Sequence, residues 1–374
     1  MTIAIDCRMI NASGIGVYLR GCLPFILKSE HQFLLIGNAV HLHSFSSYPN
    51  AAVINCGIKP FSIKELFFFP GKIIRRINTS AVYYSPFFNI PCGIAIPVFT
   101  TIHDIIFPDM PDLSSKTGLA VRMFFFRRAY KKSSTIFTVS EFSKSRIMFH
   151  LGKTKPVIVT HSAIQPLFLE YRSAVKNTQK KETIVFIGNI KKHKGLDCLI
   201  EAFKLAKEKG LPHRLIIIGS KENFRTSDNA ILQKINSLGA ESVSFTGLIT
   251  DEQLLEYLSE ASLLVQPSLY EGFGLPPLEA MTVGTQALIS DIPVFKEIYD
   301  GFPVTFFRAG DSIDLKNKIL YLLLNKNFQG FSIPENLLDK YTFQKTSTVI
   351  MENFYKLSIG ENRLLPSTWS DAAK

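Results

Sequence analysis

From residue 183 to 325 the chain repeats one pattern: a short aliphatic run, a Gly-bearing turn, then a helical stretch. The apolar runs lie at 183–188, 214–218, 242–245, 263–267, 287–290 and 304–307. Helical spacing fills 195–209, 228–238, 251–260, 276–283, 293–299 and 311–325 between and after them. Strands that alternate with helices predict a parallel sheet with right-handed crossovers and helices on both faces. That pattern excludes sandwiches, barrels and bundles for this half of the chain.

The first half follows a looser version of the same plan. Residues 2–6 read as a strand, a turn follows with Asn11, Ser13, Gly14 and Gly16, and a helix is expected over about 17–27. Further strands are expected near 33–36, 52–54 and 81–84, with a Phe-rich segment at 63–76. A strand ending at Ile102 delivers His103 and Asp104 at its carboxyl end, where doubly wound sheets place ligands. Residues 118–132 predict a helix, and Ser140 or Ser143 an N-cap for the next one. Polar, aperiodic residues 165–182 read as a linker, and a last helix is expected at about 342–357. A length of 374 residues is too long for one ordinary core and fits two domains.

The net charge of +11 sits on one side. Residues 1–168 hold 18 Lys and Arg against 7 Asp and Glu, whereas residues 169–374 hold 24 of each. The two domains are therefore expected to meet different partners, the first an anionic one. On helix 118–132, Leu119, Met123, Phe126 and Tyr130 share a stripe that should be core. The remaining arc carries Arg122, Arg127, Arg128, Lys131 and Lys132, with Phe124 and Phe125 among them. Basic and aromatic residues together suit an anionic lipid surface; a solvated helix with its extra Phe packed under a loop is the alternative. Residues 64–76 repeat the theme. No nucleic-acid-binding motif is present, so nucleic acid is not an expected partner.

There is no apolar run long enough to span a bilayer, and the first residues read as a strand without a basic leader. Five cysteines without a CxxC pair predict reduced, buried thiols of a cytoplasmic protein.

The densest chemistry lies at 262–284. A strand runs into Glu271-Gly272-Phe273-Gly274-Leu275, then into a helix opened by Pro276 and Pro277, with Glu279 in its first turns. Glycines let a ligand approach the backbone, and the amides of 272–275 and of Leu278 onward are available to an anion. A carboxylate on either side can accept from vicinal hydroxyls. A second loop, Gly188-Asn189-Ile190-Lys191-Lys192-His193-Lys194-Gly195, is basic and glycine-bounded, and so suited to phosphate. No Asp-x-Asp and no His/Asp/Glu cluster with ligand spacing is present, so no metal is expected.

The pair Glu271-x7-Glu279, within Pro-Ser-x-x-Glu-Gly-Phe-Gly-Leu-Pro-x-Leu-Glu-Ala-Met, resembles the donor-site signature of retaining GT-B glycosyltransferases of family 4. With Asp6-x-Arg8, Gly14-Ile15-Gly16 and His103-Asp104, the chain is similar to bacterial O-antigen and capsule transferases, many of them mannosyltransferases. The resemblance implies two Rossmann-like domains facing a central cleft, with the C-terminal helix crossing back to the first. Residues 1–168, with about 358–374, would bind the acceptor, and residues 169–357 the nucleotide sugar.

It also implies roles. Glu271 would sit by the donor sugar and Glu279 on the ribose, with His103 and Asp104 approaching the sugar. Gly14 and Gly16 would lie near the donor phosphates. Lys194 matches the family's phosphate-binding Lys, while Asn189 replaces its usual Arg, so the second cation is Lys191 or Lys192, or is missing. The implied activity is metal-independent, retaining transfer of a hexose, with GDP-mannose favoured over UDP- or dTDP-hexoses. The acceptor would be lipid-linked or a polysaccharide, on the inner face of the plasma membrane. A nucleotide-sugar 2-epimerase and a non-catalytic basic binding protein are the alternatives; the first would leave the basic, aromatic half unexplained.

Overall fold

The computed structural model describes residues 1–174, 178–219, 229–324 and 333–358. The expected tail at about 358–374 lies outside these residues, apart from the last helical position.

Thirteen strands occur among the described residues. They are β1 (Thr2–Asp6), β2 (Gln32–Gly37), β3 (Ala51–Asn55), β4 (Val82–Ser85), β5 (Val98–Thr101), β6 (Thr135–Thr138) and β7 (Val157–Val159). After these come β8 (Lys181–Ile187), β9 (Arg214–Ile218), β10 (Val243–Gly247), β11 (Ala261–Gln266), β12 (Gln286–Ser290) and β13 (Thr305–Phe307). They build two parallel sheets, ordered β3-β2-β1-β4-β5-β6-β7 and β10-β9-β8-β11-β12-β13. Each sheet reverses direction of growth beside its first strand: β1 pairs with β2 and β4 in the first, and β8 with β9 and β11 in the second. Such a switch point opens a crevice at the carboxyl ends of the strands. The inner strands β1, β2, β4, β5, β6, β11 and β12 are nearly all buried, as helices on both faces require, while the edge strands β3, β7, β10 and β13 are only partly covered.

The helices are α1 (Ser13–Leu27), α2 (Ile63–Phe67), α3 (Gly71–Ile77), α4 (Ile106–Asp109), α5 (Lys116–Lys132), α6 (Glu141–Leu151) and α7 (Pro166–Ala174). With the second sheet come α8 (Leu196–Lys207), α9 (Asn229–Ser237), α10 (Asp251–Glu260), α11 (Leu275–Thr282), α12 (Pro293–Ile298) and α13 (Ser312–Leu324). The chain closes with α14 (Glu335–Leu338) and α15 (Phe343–Ser358). Ser140 rather than Ser143 caps α6, its Oγ accepting from Ser143 N at 3.0 Å. The expected linker is in part α7: Phe168 is fully buried, and Leu169 and Tyr171 pack against the same core, so the apolar start of the stretch is anchored as a helix. Cys92 is exposed and Cys198 half-buried, against the expectation that every thiol is covered.

Helix α15 crosses back onto the first sheet. Phe354, fully buried, meets Phe99 at 4.7 Å and Tyr84 at 5.4 Å between ring centroids. Ser347 Oγ donates to the Cys22 carbonyl in α1, and Thr346 Oγ1 to that of His161. The two sheets are thus tied by the last helix as well as at the cleft. Phe354→Ala should cost about 3–5 kcal/mol, as expected for a large aromatic removed from a closed core. Urea unfolding would show this as a lower midpoint at unchanged slope.

Candidate active site

At the switch point of the second sheet, two loops meet. The loop after β8 carries Asn189, Lys191, Lys192 and Lys194; the loop after β11 carries Ser268, Tyr270, Glu271, Gly272, Phe273 and Gly274. Their junction has room for only one residue type at position 195. Gly195 is left-handed (φ 69°), and a Cβ there would stand 1.9 Å from the Pro267 carbonyl oxygen. Lys194 Nζ is thereby carried to Glu271 Oε1 at 2.7 Å, and Ser268 Oγ donates to the same oxygen at 2.7 Å. Gln266 Nε2 in turn donates to Ser268 Oγ at 3.1 Å. Glu271 is therefore a held carboxylate with one oxygen already occupied. Asn189, Lys191 and Lys192 are exposed at the rim.

The loop after β11 presses directly on the first domain. A Cβ at Gly272 would lie 2.9 Å from the His103 carbonyl oxygen and 3.1 Å from Asp104 Cβ. The Gly272 carbonyl accepts from Ser140 Oγ at 2.6 Å and Ser143 Oγ at 3.1 Å, both at the start of α6. Glu297 of α12 accepts from the amides of Glu141 and Phe142, each at 2.7 Å, and so supplies α6 with an acidic cap from the other domain. His103, Asp104 and Glu271, singled out separately in the sequence, are thus brought together.

His103 Nε2 lies 3.0 Å from the Pro86 carbonyl, which can only accept, so this nitrogen carries the proton. Burial pushes the imidazole pKa down to about 4. At neutral pH the ring is uncharged and Nδ1 is an acceptor. The Tyr18 ring of α1 meets it edge-on at 5.0 Å, which sets the first turns of α1 beside the cleft. Gly14 is exposed there, with open space around it, and Gly16 is buried against the Ile10 carbonyl. No side chain caps the N-terminus of α1. The Asp104 carboxyl is pushed up by burial and by the Glu271 charge, and drawn down by the Ile106 amide, Lys194 and Lys191.

Glu279 is buried on α11, and burial raises its carboxyl to about 7, against a hydrogen bond from the Gln165 side chain that favours the ionised form. Gly274 is the left-handed N-cap of α11 and Leu275 its first residue. Two expectations for this turn change. The Leu278 amide is not free: it donates to Tyr299 Oη at 3.1 Å, and that hydroxyl donates to the Gly274 carbonyl. The Phe273 ring turns away from the cleft onto Tyr341 and His161, at 5.4 and 6.2 Å, so only its backbone can face a ligand.

Sequence reasoning missed Ser268, Tyr270, Gln165, Tyr299, Asp109 and Glu297. Ser268 and Tyr270 lie inside the motif and could have been flagged as polar neighbours of Glu271. The others are distant in sequence, and no local pattern points to them. On α5 the basic arc is only partly free. Arg122 stacks on Phe107 at 4.0 Å and donates to Ser114 Oγ, and Arg128 donates to the Ile90 carbonyl. Arg127, Lys131, Lys132 and Phe124 remain exposed, while Phe125 is half-buried. Among the described residues no group of three or more His, Cys, Asp or Glu side chains could hold a metal ion.

The depressed His103 pKa has a checkable consequence. Between about pH 4 and the ordinary 6.5 the unfolded chain binds a proton that the folded site refuses. Its contribution to stability is fully present above pH 6.5 and is lost as pH falls towards 4. In an NMR titration the His103 ring signals should move near pH 4, and His103→Gln should flatten that part of the stability profile.

Residues 168–333 match the sequence model of the family "Glycosyl transferases group 1". The chain is 26% identical over 233 residues to O-antigen chain mannosyltransferase B of Escherichia coli, covering 58% of each chain. It is 26% identical to O-antigen chain mannosyltransferase RfbU of Salmonella typhimurium, covering 53% of each, and 27% identical to the serotype-specific mannosyltransferase WbdA of Escherichia coli, covering 47% of this chain and 22% of that one. The matched stretch thus spans about half the length of two of these relatives and about a fifth of the third. Among solved structures, Anabaena HepE in complex with UDP and glucose superposes with a TM-score of 0.69 at 18% identity, over 95% of this chain and 100% of that one. Sucrose-phosphate synthase from Thermosynechococcus elongatus gives 0.70 at 15%, over 96% and 99%. By its two facing parallel sheets and returning helix the chain has the GT-B fold, and residues 168–333 match the glycosyl transferases group 1 family.

Proposed function

We propose that this chain is a retaining hexosyltransferase that moves mannose from GDP-mannose to a lipid-linked or polysaccharide acceptor in O-antigen-type cell-surface glycan synthesis. The observation that carries the reading is the Lys194–Glu271 pair held against His103 and Asp104 across the cleft. A diphosphate is the anion that would compete with Glu271 for Lys194. Exchange of partners would neutralise the leaving group and free Glu271 to accept from sugar hydroxyls. The amides at the uncapped start of α1 and the exposed Lys191 add positive potential on the same side. Glu279, buried near the start of α11, suits the ribose hydroxyls, whose donation would favour its ionised form.

In the proposed reaction the bond between the sugar C1 and the phosphate oxygen breaks while the acceptor oxygen bonds to C1 on the same face. The acceptor proton goes to the departing phosphate oxygen. The neutral His103, with Nδ1 as an acceptor, holds a sugar hydroxyl and donates no proton. Fixed cations and helix amides balance the charge, so no metal is required. Glu271, tied by Ser268, is placed to position the sugar. The mannose assignment is supported by the names of the matched O-antigen relatives, and the nucleotide-sugar assignment by HepE, which was solved with UDP and glucose.

The acceptor side is proposed to face the anionic inner surface of the plasma membrane. Phe67 and Phe68 are 72% and 70% exposed beside Lys64, Lys72, Arg75 and Arg76, and Phe124 stands beside Arg127 and Lys131. No helix among the described residues is long and apolar enough to cross a membrane.

A thermal-shift panel of GDP, UDP, dTDP and their sugars in EDTA tests the reading. One diphosphate at 100 times its Kd should add about 2.7 kcal/mol to the wild type. Glu279→Ala should lose most of that gain, and silence from every nucleotide would overturn the assignment.

A further inference from the structure

Tyr270 immediately precedes Glu271, yet its side chain belongs to an assembly in the other domain. Its hydroxyl donates to Asp109 Oδ2 at 2.9 Å. Asp109, the last residue of α4, is itself gripped from α6. Arg146 Nε donates to both carboxylate oxygens at 3.0 and 2.9 Å, its terminal nitrogen adds a further bond, and His150 Nε2 donates at 2.7 Å. These donors hold the Asp109 carboxyl below its ordinary value despite partial burial. The Tyr270 ring also packs edge-on against Phe142 of α6 at 5.5 Å.

The loop that carries Glu271 is therefore tied to the first domain by the Tyr270 hydroxyl as well as by the Gly272 carbonyl on Ser140 and Ser143. A free loop after β11 would leave Glu271 fixed only by Ser268 and Lys194, both on its own domain. We propose that Asp109 is a positioning residue for Glu271, acting through Tyr270, so that the carboxylate reaches its working place only when the first domain is docked. Asp109, Arg146 and His150 touch neither nucleotide nor sugar in this account. The proposal rests on the transferase reading only for its kinetic part. The tie between Tyr270 and Asp109 can be tested on the free protein.

Two readouts separate the parts. Tyr270→Phe removes one hydroxyl and keeps the ring on Phe142, so the fold should survive. In the nucleotide-free protein, amide hydrogen exchange of peptides covering residues 268–275 should quicken at least severalfold in Tyr270→Phe, and at least as much in Asp109→Ala, which leaves that hydroxyl no acceptor. With donor and acceptor, kcat should fall about tenfold, the size expected for losing one charge-assisted hydrogen bond at a catalytic position. The Kd for GDP should change less than twofold, since Lys194 and Glu279 are untouched.

Adding Tyr270→Phe to Asp109→Ala should change nothing further in the loop, because the hydroxyl has already lost its acceptor. Additive effects, unchanged exchange in the loop, or a melting loss with kcat within twofold of wild type would each overturn the proposal. If the wild type turns over no mannosyl donor, the transferase reading fails, and the exchange comparison still decides whether the tie exists.

Discussion

Two parallel sheets can serve one ligand only if the crevice of one opens onto the crevice of the other, and Gly272 is the contact that sets this distance. With no side chain at that position the loop after β11 rests on the backbone of His103 and Asp104. Any larger residue would wedge the halves apart at the point where their chemistry meets. The contacts around it follow from that approach. Serines of α6 hold the Gly272 carbonyl, Glu297 caps α6 from across the cleft, and α15 ties the far side with Phe354. The cleft is held by polar groups at its lip and by aromatic packing at its back.

Charge is organised to match. Lys194 and Glu271 neutralise each other in the free protein, which avoids leaving either charge half-buried and alone. His103 is kept neutral by burial, which outweighs the Pro86 carbonyl that favours the protonated ring. Glu279 is held near its titration point by burial. A site of this kind is poised for an anionic, hydroxyl-rich ligand, because Lys194 can exchange Glu271 for an anion and the carboxylates and the His103 Nδ1 can accept from hydroxyls.

The alternating strands and helices were legible because each element carries its own period, and two switch-point sheets follow from that alternation. Glu271 and Glu279 were legible because a Gly-bracketed turn into a Pro-opened helix is a local feature. What escaped was non-local. Residues 166–174 fall within the expected polar linker, yet Phe168, Leu169 and Tyr171 anchor them as a helix on a core built from distant residues. The Leu278 amide looked available until Tyr299, distant in sequence, proved to occupy it. The basic arc of α5 looked uniform, yet Arg122 and Arg128 are spent on Phe107, Ser114 and Ile90, contacts set by tertiary packing. Phe273 lies in the motif but faces the core, where Tyr341 and His161, distant in sequence, receive its ring.

The central claim is that the cleft between the two sheets is a nucleoside-diphosphate site with its charge partners already in place. A crystal structure of the chain with GDP tests it most directly. The account predicts the ribose hydroxyls on Glu279 and the diphosphate drawing Lys194 Nζ off Glu271, beside the first turn of α1. A nucleotide bound elsewhere, or bound in the cleft with Lys194 still on Glu271 and Glu279 untouched, would contradict it.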